Sequence, residues 1–177
     1  PAPTRPLSLQ GRWRTYTPAD GLAALHVEHI VEDQEGCLWF ATASGGVSQY
    51  DGDTFRTFTV QDGLASDLVV GLLCDLRGRV WIGTADAGLC WYEDGGFHRF
   101  AAAEWLAHGS FLYLSEDSRG RVWFSGGGGV GCWDGTTLRD LSASYAQLCS
   151  HAPDHCWGIA EDAAGNLWFG GTELVRW

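Results

Sequence analysis

Residues 75–84 read "DLRGRVWIGT" and residues 117–126 read "DSRGRVWFSG", 42 positions later. Two further copies flank them, "DQEGCLWFAT" from Asp33 and "DAAGNLWFGG" from Asp162. The Trp of each copy stands at 39, 81, 123 and 168, and the Gly before it at 36, 78, 120 and 165, so both advance in steps of 42, 42 and 45. A phrase that returns at this period marks a repeat architecture, in which one unit cannot bury its apolar surface and stacking with neighbours does.

Two other signatures share the period. "GGVSQYDG", "AGLCWYEDGG" and "GGVGCWDG" follow the first three Trp positions, and "TELVRW" follows the fourth. "TFRTFT" (54–59), "GFHRFA" (96–101) and "TLRDLS" (137–142) close each unit, and "RWRTYT" (12–17) is a copy in phase at the front of the chain. The segments between turns are short and rich in Val, Ile, Leu and aromatic residues, which reads as strands of about five residues. Asp-Gly at 51–52 and 134–135 is a two-residue hairpin signal. Each unit is therefore a four-stranded antiparallel meander, and radial repetition of such meanders makes a β-propeller. The expected fold is all-β, with four four-stranded blades over approximately 24–59, 66–101, 108–142 and 156–177. Strand 12–17 is expected to complete the last blade by annealing onto 173–177, after an N-terminal extension at 1–10. No helix of any length is expected. Closure is expected within one chain, or between two chains as an eight-bladed ring, or within a larger propeller of which this is a part.

The 177 residues suffice for one domain with a sizeable core, and 45% hydrophobic content is globular. Twenty-five Gly and 10 Trp fit many tight turns and repeated aromatic packing positions. Eleven basic against 22 acidic residues give a net charge of −11, which repels phosphate backbones and anionic membranes. Nucleic acid and membrane contact are thus not expected. The opening "PAPTRPLSLQ", without an initiator Met, reads as the start of a processed or excised segment, and shows no basic-then-apolar leader. The six Cys form no CxxC framework, and Cys74, Cys90 and Cys132 read as small apolar residues.

"DGL" at Asp20–Leu22 and Asp62–Leu64, the Asp-x-x-Gly-x-[LV]-Trp-[IF] phrase and the "GG[VL]…DG" segments together resemble the two-component-regulator propeller repeat. That repeat is best known from extracytoplasmic sensor regions of bacterial hybrid histidine kinases. The resemblance covers roughly residues 11–177 and implies a sensor-like, periplasmic propeller. The chain departs from the pattern in its four blades, against about seven usual in the family, and in the loss of "DGL" from its third and fourth copies.

The repeated acids Asp33, Asp75, Asp117 and Asp162 read as turn residues that accept backbone hydrogen bonds, and the repeated Trp residues as core. The hairpin differs from the sialidase Asp box, Ser-x-Asp-x-Gly-x-x-Trp, by one extra residue between Asp and Gly, and no arginine cluster suited to a carboxylated sugar is visible. In "HVEH" (26–29), alternation puts His26 and Glu28 on one face and His29 on the other, so no joint metal site is expected. "CSHAPDHC" (149–156) gathers Cys149, His151, His155 and Cys156 in the inserted segment, a candidate zinc or disulfide site without standard zinc spacing. Propellers usually bind partners at the face formed by the connections that enter the inner strands, or at the central channel. Asp20, Asp62, Glu104, Trp105, His108 and Tyr145 are the candidate ligand-binding residues on that face.

No Gly-x-Ser-x-Gly nucleophile and no phosphate loop ahead of a helix occurs, so no catalytic residue and no cofactor is assigned. The function expected is non-catalytic recognition of a small molecule, glycan or protein by a monomer or homodimer. The alternatives are a lyase or glycosidase on a propeller scaffold, and a structural assembly unit.

Overall fold

A computed structural model describes residues 13–99, 111–126, 129–148, 156–171 and 173–177. The first sheet runs in chain order through β1 (Val27–Glu32), β2 (Leu38–Thr42), β3 (Val47–Tyr50) and β4 (Phe55–Phe58). The second repeats it with β5 (Val69–Cys74), β6 (Val80–Thr84), β7 (Leu89–Glu93) and β8 (Gly96–Arg99), and the third with β9 (Phe111–Glu116), β10 (Val122–Gly126), β11 (Gly129–Trp133) and β12 (Leu138–Asp140). The fourth has three strands, β13 (Cys156–Glu161), β14 (Leu167–Gly171) and β15 (Leu174–Arg176). Every pairing is antiparallel. The first strands of successive sheets pack on one another, β1 on β5, β5 on β9 and β9 on β13, so they line the inside and the sheets fan outward. This is the blade arrangement of a β-propeller.

The repeated phrase makes the turn between the first and second strand of each blade. Its Asp backbone closes the hairpin, as in Asp75 N–H to Arg79 O at 3.0 Å and Gly78 N–H to Asp75 O at 2.9 Å. The Gly takes a left-handed conformation in all four copies, with φ of 85, 86, 73 and 82° at Gly36, Gly78, Gly120 and Gly165, which is why that position is Gly. The Asp side chain then completes the turn. In every copy one carboxylate oxygen accepts the backbone N–H groups two and four residues on, and the other accepts the indole N–H of the Trp six residues on, at 2.6, 2.8, 2.8 and 2.9 Å.

That bond fixes the Trp ring between blades. Trp39 stacks on Phe58 of its own blade at 5.5 Å and meets Tyr92 of the next at 5.0 Å. Trp123 meets Phe169 and Trp177 of the fourth blade at 5.7 and 5.0 Å. Trp39, Trp81 and Trp123 are at most 1% exposed, and Trp168, which has no blade beyond it, is half-buried. The same asymmetry shows on the inner strands. Leu72, Leu114 and Ile159 are 1, 7 and 3% exposed, whereas their counterpart Ile30 in the first blade is 53% exposed. Among the described residues the four blades thus form an arc with two open end faces.

The expected annealing of 12–17 onto the last blade is not made. Residues 13–17 carry no strand, and Trp13 is fully exposed. Tyr16 instead packs on Tyr50 and Phe55 of the first blade at 5.6 and 5.5 Å. Phe58 makes the same contacts one repeat later, with Tyr92 and Phe97 at 5.3 and 5.5 Å. The segment therefore sits where the outer strand of a preceding blade would, and aromatic packing on the first blade holds it there rather than pairing with β15. The expectation of no helix is also corrected. Residues after β12 form α1 (Ser142–Leu148), whose Tyr145 turns inward while its Ala, Gln and Leu residues suit helical geometry.

Replacing Asp117 by Ala would leave the Arg121 guanidinium, the Trp123 indole N–H and two turn amides unpaired at an almost fully buried site. The expected loss is about 3–5 kcal/mol of unfolding free energy. Asp33→Ala, at a more exposed turn without an arginine partner, should cost about 1–3 kcal/mol. Urea denaturation of the two variants checks the order.

Candidate functional site

The structure places the predicted loop-face residues unevenly. Asp20 and Asp62 lie in matching 3-10 turns, Pro18–Asp20 and Val60–Asp62, and fold back on them as caps. Asp20 accepts the backbone N–H of Thr17 at 2.9 Å and its hydroxyl at 3.0 Å, and Asp62 accepts the same pair from Thr59 at 2.8 and 3.2 Å. The Thr17 backbone N–H, then its hydroxyl, hold the Asp20 carboxyl below the usual carboxylate range. Tyr145 is 8% exposed and packs against Phe169 at 5.9 Å. It borders an apolar cavity of about 80 Å³ with Trp123, Leu141 and Phe169, so its ring belongs to the core between the third and fourth blades. Glu104, Trp105 and His108 lie outside the described residues.

The candidate metal residues are not brought together in what is described. Cys156 is 2% exposed and its thiol points to Gly158 O at 3.5 Å within its own strand. Cys149, His151 and His155 lie outside the described residues. Among the described residues no group of three His, Cys, Asp or Glu could hold a metal ion. Cys37, Cys74, Cys90, Cys132 and Cys156 are free. Burial pushes the Cys90 and Cys132 thiols up to about 11 and about 12, so both remain protonated apolar fillers. In "HVEH", His26 meets Glu28 at 3.5 Å and His29 points elsewhere, its Nδ1 accepting the backbone N–H of Leu72 at 2.9 Å.

A further cavity among the described residues carries no sequence motif. It is a polar cleft of about 510 Å³ between the first two blades, with Asp33, Glu35, Glu93 and Asp94 on its walls and Trp39 and Tyr92 at its base. Arg56 also borders it, with its guanidinium over the Phe58 ring at 4.4 Å. The equivalent space between the third and fourth blades is about 140 Å³ and is lined by Arg121, Trp123 and Trp177. The residue four after the turn Asp accounts for the difference. Arg79 and Arg121 donate Nε to Asp75 and Asp117 at 2.6 and 2.5 Å and lie 5.0 and 5.1 Å from the Trp81 and Trp123 ring centroids. Asn166 donates its amide to Asp162 at 2.9 and 3.0 Å. Cys37 stands at that position in the first blade and makes no such bond. The signal was present in the aligned repeats, as the one unit in which neither Arg nor Asn follows the Gly.

These blades, each pinned by an Asp–Trp bond and stacked through that Trp, define a β-propeller repeat protein. Its fold is similar to the extracellular domain of a hybrid two-component system from B. thetaiotaomicron, with a TM-score of 0.71 and 23% identity over 89% of this chain and 22% of that one. A second such domain from the same organism gives 0.68 and 16% identity over 93% of this chain and 22% of that one. Virginiamycin B lyase from Staphylococcus aureus, solved with quinupristin, gives 0.62 and 14% identity over 85% of this chain and 55% of that one. The chain thus spans about a fifth of the two-component domains it matches, and the likeness is one of fold. No family model and no curated protein matches the chain. Among the described residues no helix is long and apolar enough to cross a membrane.

The Asp117 and Asp162 carboxylates give the fold a defined acid response. The Asn166 amide, then the Trp168 indole, hold the Asp162 carboxyl well below the carboxylate range. At Asp117 burial works upward, but the bonds from Trp123 and Arg121 outweigh it and the carboxyl is lowered. A folded-state pKa below the unfolded one contributes stability in full above the unfolded value, and the contribution disappears as pH falls through the folded one. Melting temperature should therefore hold from pH 7 to about pH 5 and drop progressively below it. Asp162→Asn should lower the melting temperature at pH 7 and flatten the acid drop, as followed by circular dichroism.

Proposed function

We propose that the chain is a non-catalytic recognition module, a sensor-like propeller that takes a small molecule, glycan or protein partner on its connections. The observation that carries this reading is the fate of the repeated polar groups. All four turn Asp residues, and both Asp residues of the "DGL" turns, spend their hydrogen bonds on their own backbone and their own blade. Groups occupied in holding a scaffold are not available as acid, base or nucleophile. Ligand chemistry at the loop face is left to the residues that do not repeat, which a rigid scaffold is free to vary. Structural likeness to extracellular domains of two-component proteins supports a sensor-like role and an extracytoplasmic setting.

Likeness to a lyase fold supports the alternative of an enzyme, and one experiment separates the two. The chain is incubated with panels of oligosaccharides and short peptides, and binding is read as a rise in melting temperature. A recognition module yields a ligand that stabilises the fold and is recovered chemically unchanged. Conversion of that ligand to product would establish the enzyme instead. Trp105→Ala is expected to reduce the affinity of such a ligand by about tenfold or more, with the melting temperature of the free protein unchanged.

A further inference from the structure

The four turns act as internal controls for one another. In each, the inner oxygen of the Asp accepts the Trp indole N–H and retains room for a second donor. Arg79, Arg121 and Asn166 supply that donor in the second, third and fourth blades. In the first blade Cys37 supplies none, and among the described residues no cation bonds to Asp33. A cleft of about 510 Å³ opens at the same place, with Glu35, Glu93 and Asp94 adding negative charge. Two arginines also line the cleft, against four carboxylates, and each has a contact other than Asp33. Arg56 lies over Phe58, and the Arg77 guanidinium lies against Gly135 of the third blade.

We propose that the cleft between the first two blades is a binding site for a guanidinium group, which takes the position that Arg79 and Arg121 occupy in their own blades. The guanidinium donates to the free side of the Asp33 carboxylate and lies beside the Trp39 indole, as Arg79 and Arg121 do to their Asp and Trp. Charge-assisted bonding to a carboxylate and cation–π contact are the two interactions that favour guanidinium over a compact ammonium here. The acidic walls and the net charge of −11 favour a cationic ligand over an anionic one. The ligand is either a free guanidino compound or an arginine side chain presented by a peptide. The inference is independent of binding at the loop face.

Three probes test it: agmatine, the capped tripeptide acetyl-Ala-Arg-Ala-amide, and its lysine counterpart. Binding is measured by calorimetry and by the indole N–H resonance of Trp39, assigned with Trp39→Phe. The guanidinium probes should move that resonance saturably, and the lysine peptide should bind about tenfold more weakly or less. Tighter binding of the arginine peptide than of agmatine identifies a peptide-borne arginine, and equal binding identifies a free guanidino compound. Cys37→Arg is the decisive variant, because it places the protein's own guanidinium in the vacant position as the second and third blades do. It should keep or raise the melting temperature and weaken the guanidinium probes by about tenfold or more. Absence of a saturable shift in the natural sequence, or equal affinity in Cys37→Arg, overturns the inference. A ligand from the oligosaccharide or peptide panels that binds the natural sequence and Cys37→Arg alike, in the absence of any guanidinium effect, would overturn this site while leaving the recognition module in place.

Discussion

The hydrogen bond from the Trp indole N–H to the turn Asp is the constraint on which the remaining structure depends. It joins a tight turn, which needs an anion to collect its backbone N–H groups, to a large ring whose one polar atom must be satisfied when buried. With that atom satisfied inside its own hairpin, the remaining surface of the ring is apolar and free to pack on the next blade. Local turn chemistry and long-range stacking are thus carried by residues six positions apart. Because the bond is made within the repeat, each blade carries its own instructions for meeting its neighbour. Stability in such an array is a sum of unit and interface contributions.

Much of the fold was legible for that reason. The period of the Trp and Gly residues, the Asp-Gly hairpins and the in-phase strand signals all report local geometry. The structural role of Asp33, Asp75, Asp117 and Asp162 followed from turn chemistry alone. What was not legible depended on contacts beyond one repeat. "RWRTYT" has the pattern of an outer strand, but only the packing of Tyr16 on Tyr50 and Phe55 shows which blade it rests against. Tyr145 sits in a connection that reads as a loop, and its burial comes from packing between blades that no local pattern reveals. The candidate site divides in the same way. Asp20 and Asp62 were found as repeated acids, yet repetition itself pointed to their capping role. The cleft arises from a departure from repetition at Cys37, which a search for shared motifs passes over.

That departure indicates how a scaffold of near-identical units acquires individuality. The Asp and Trp cannot change without loss of the turn or the interface. The position four after the Asp tolerates Arg, Cys and Asn, since it contributes to a bond the turn can form without it. Variation there alters the charge and volume of a space between blades without disturbing the strands on either side. The loop face varies by length, and the clefts vary by the filling of one site.

The bonds between the turns of successive blades also have a direction. The Leu76 N–H of the second blade reaches the Glu116 carboxylate of the third at 2.7 Å, and Ser118 of the third reaches Glu161 of the fourth at 2.6 and 2.8 Å. The Gln34 amide of the first blade reaches the Asp75 and Leu76 carbonyls of the second at 3.2 and 2.9 Å. At each of these turn contacts the donor lies on the earlier blade and the acceptor on the later one, whereas on the inner strands the Leu72 N–H of the second blade donates back to His29 of the first at 2.9 Å. The two ends of the arc are consequently unlike surfaces. At the turns the Glu32 end presents an acceptor and the Ala163 end a donor, so neither set of turn groups matches a copy of itself. A two-fold axis through either end would oppose donor to donor or acceptor to acceptor. A blade that joins this arc through the same turn contacts extends it head to tail and preserves their polarity.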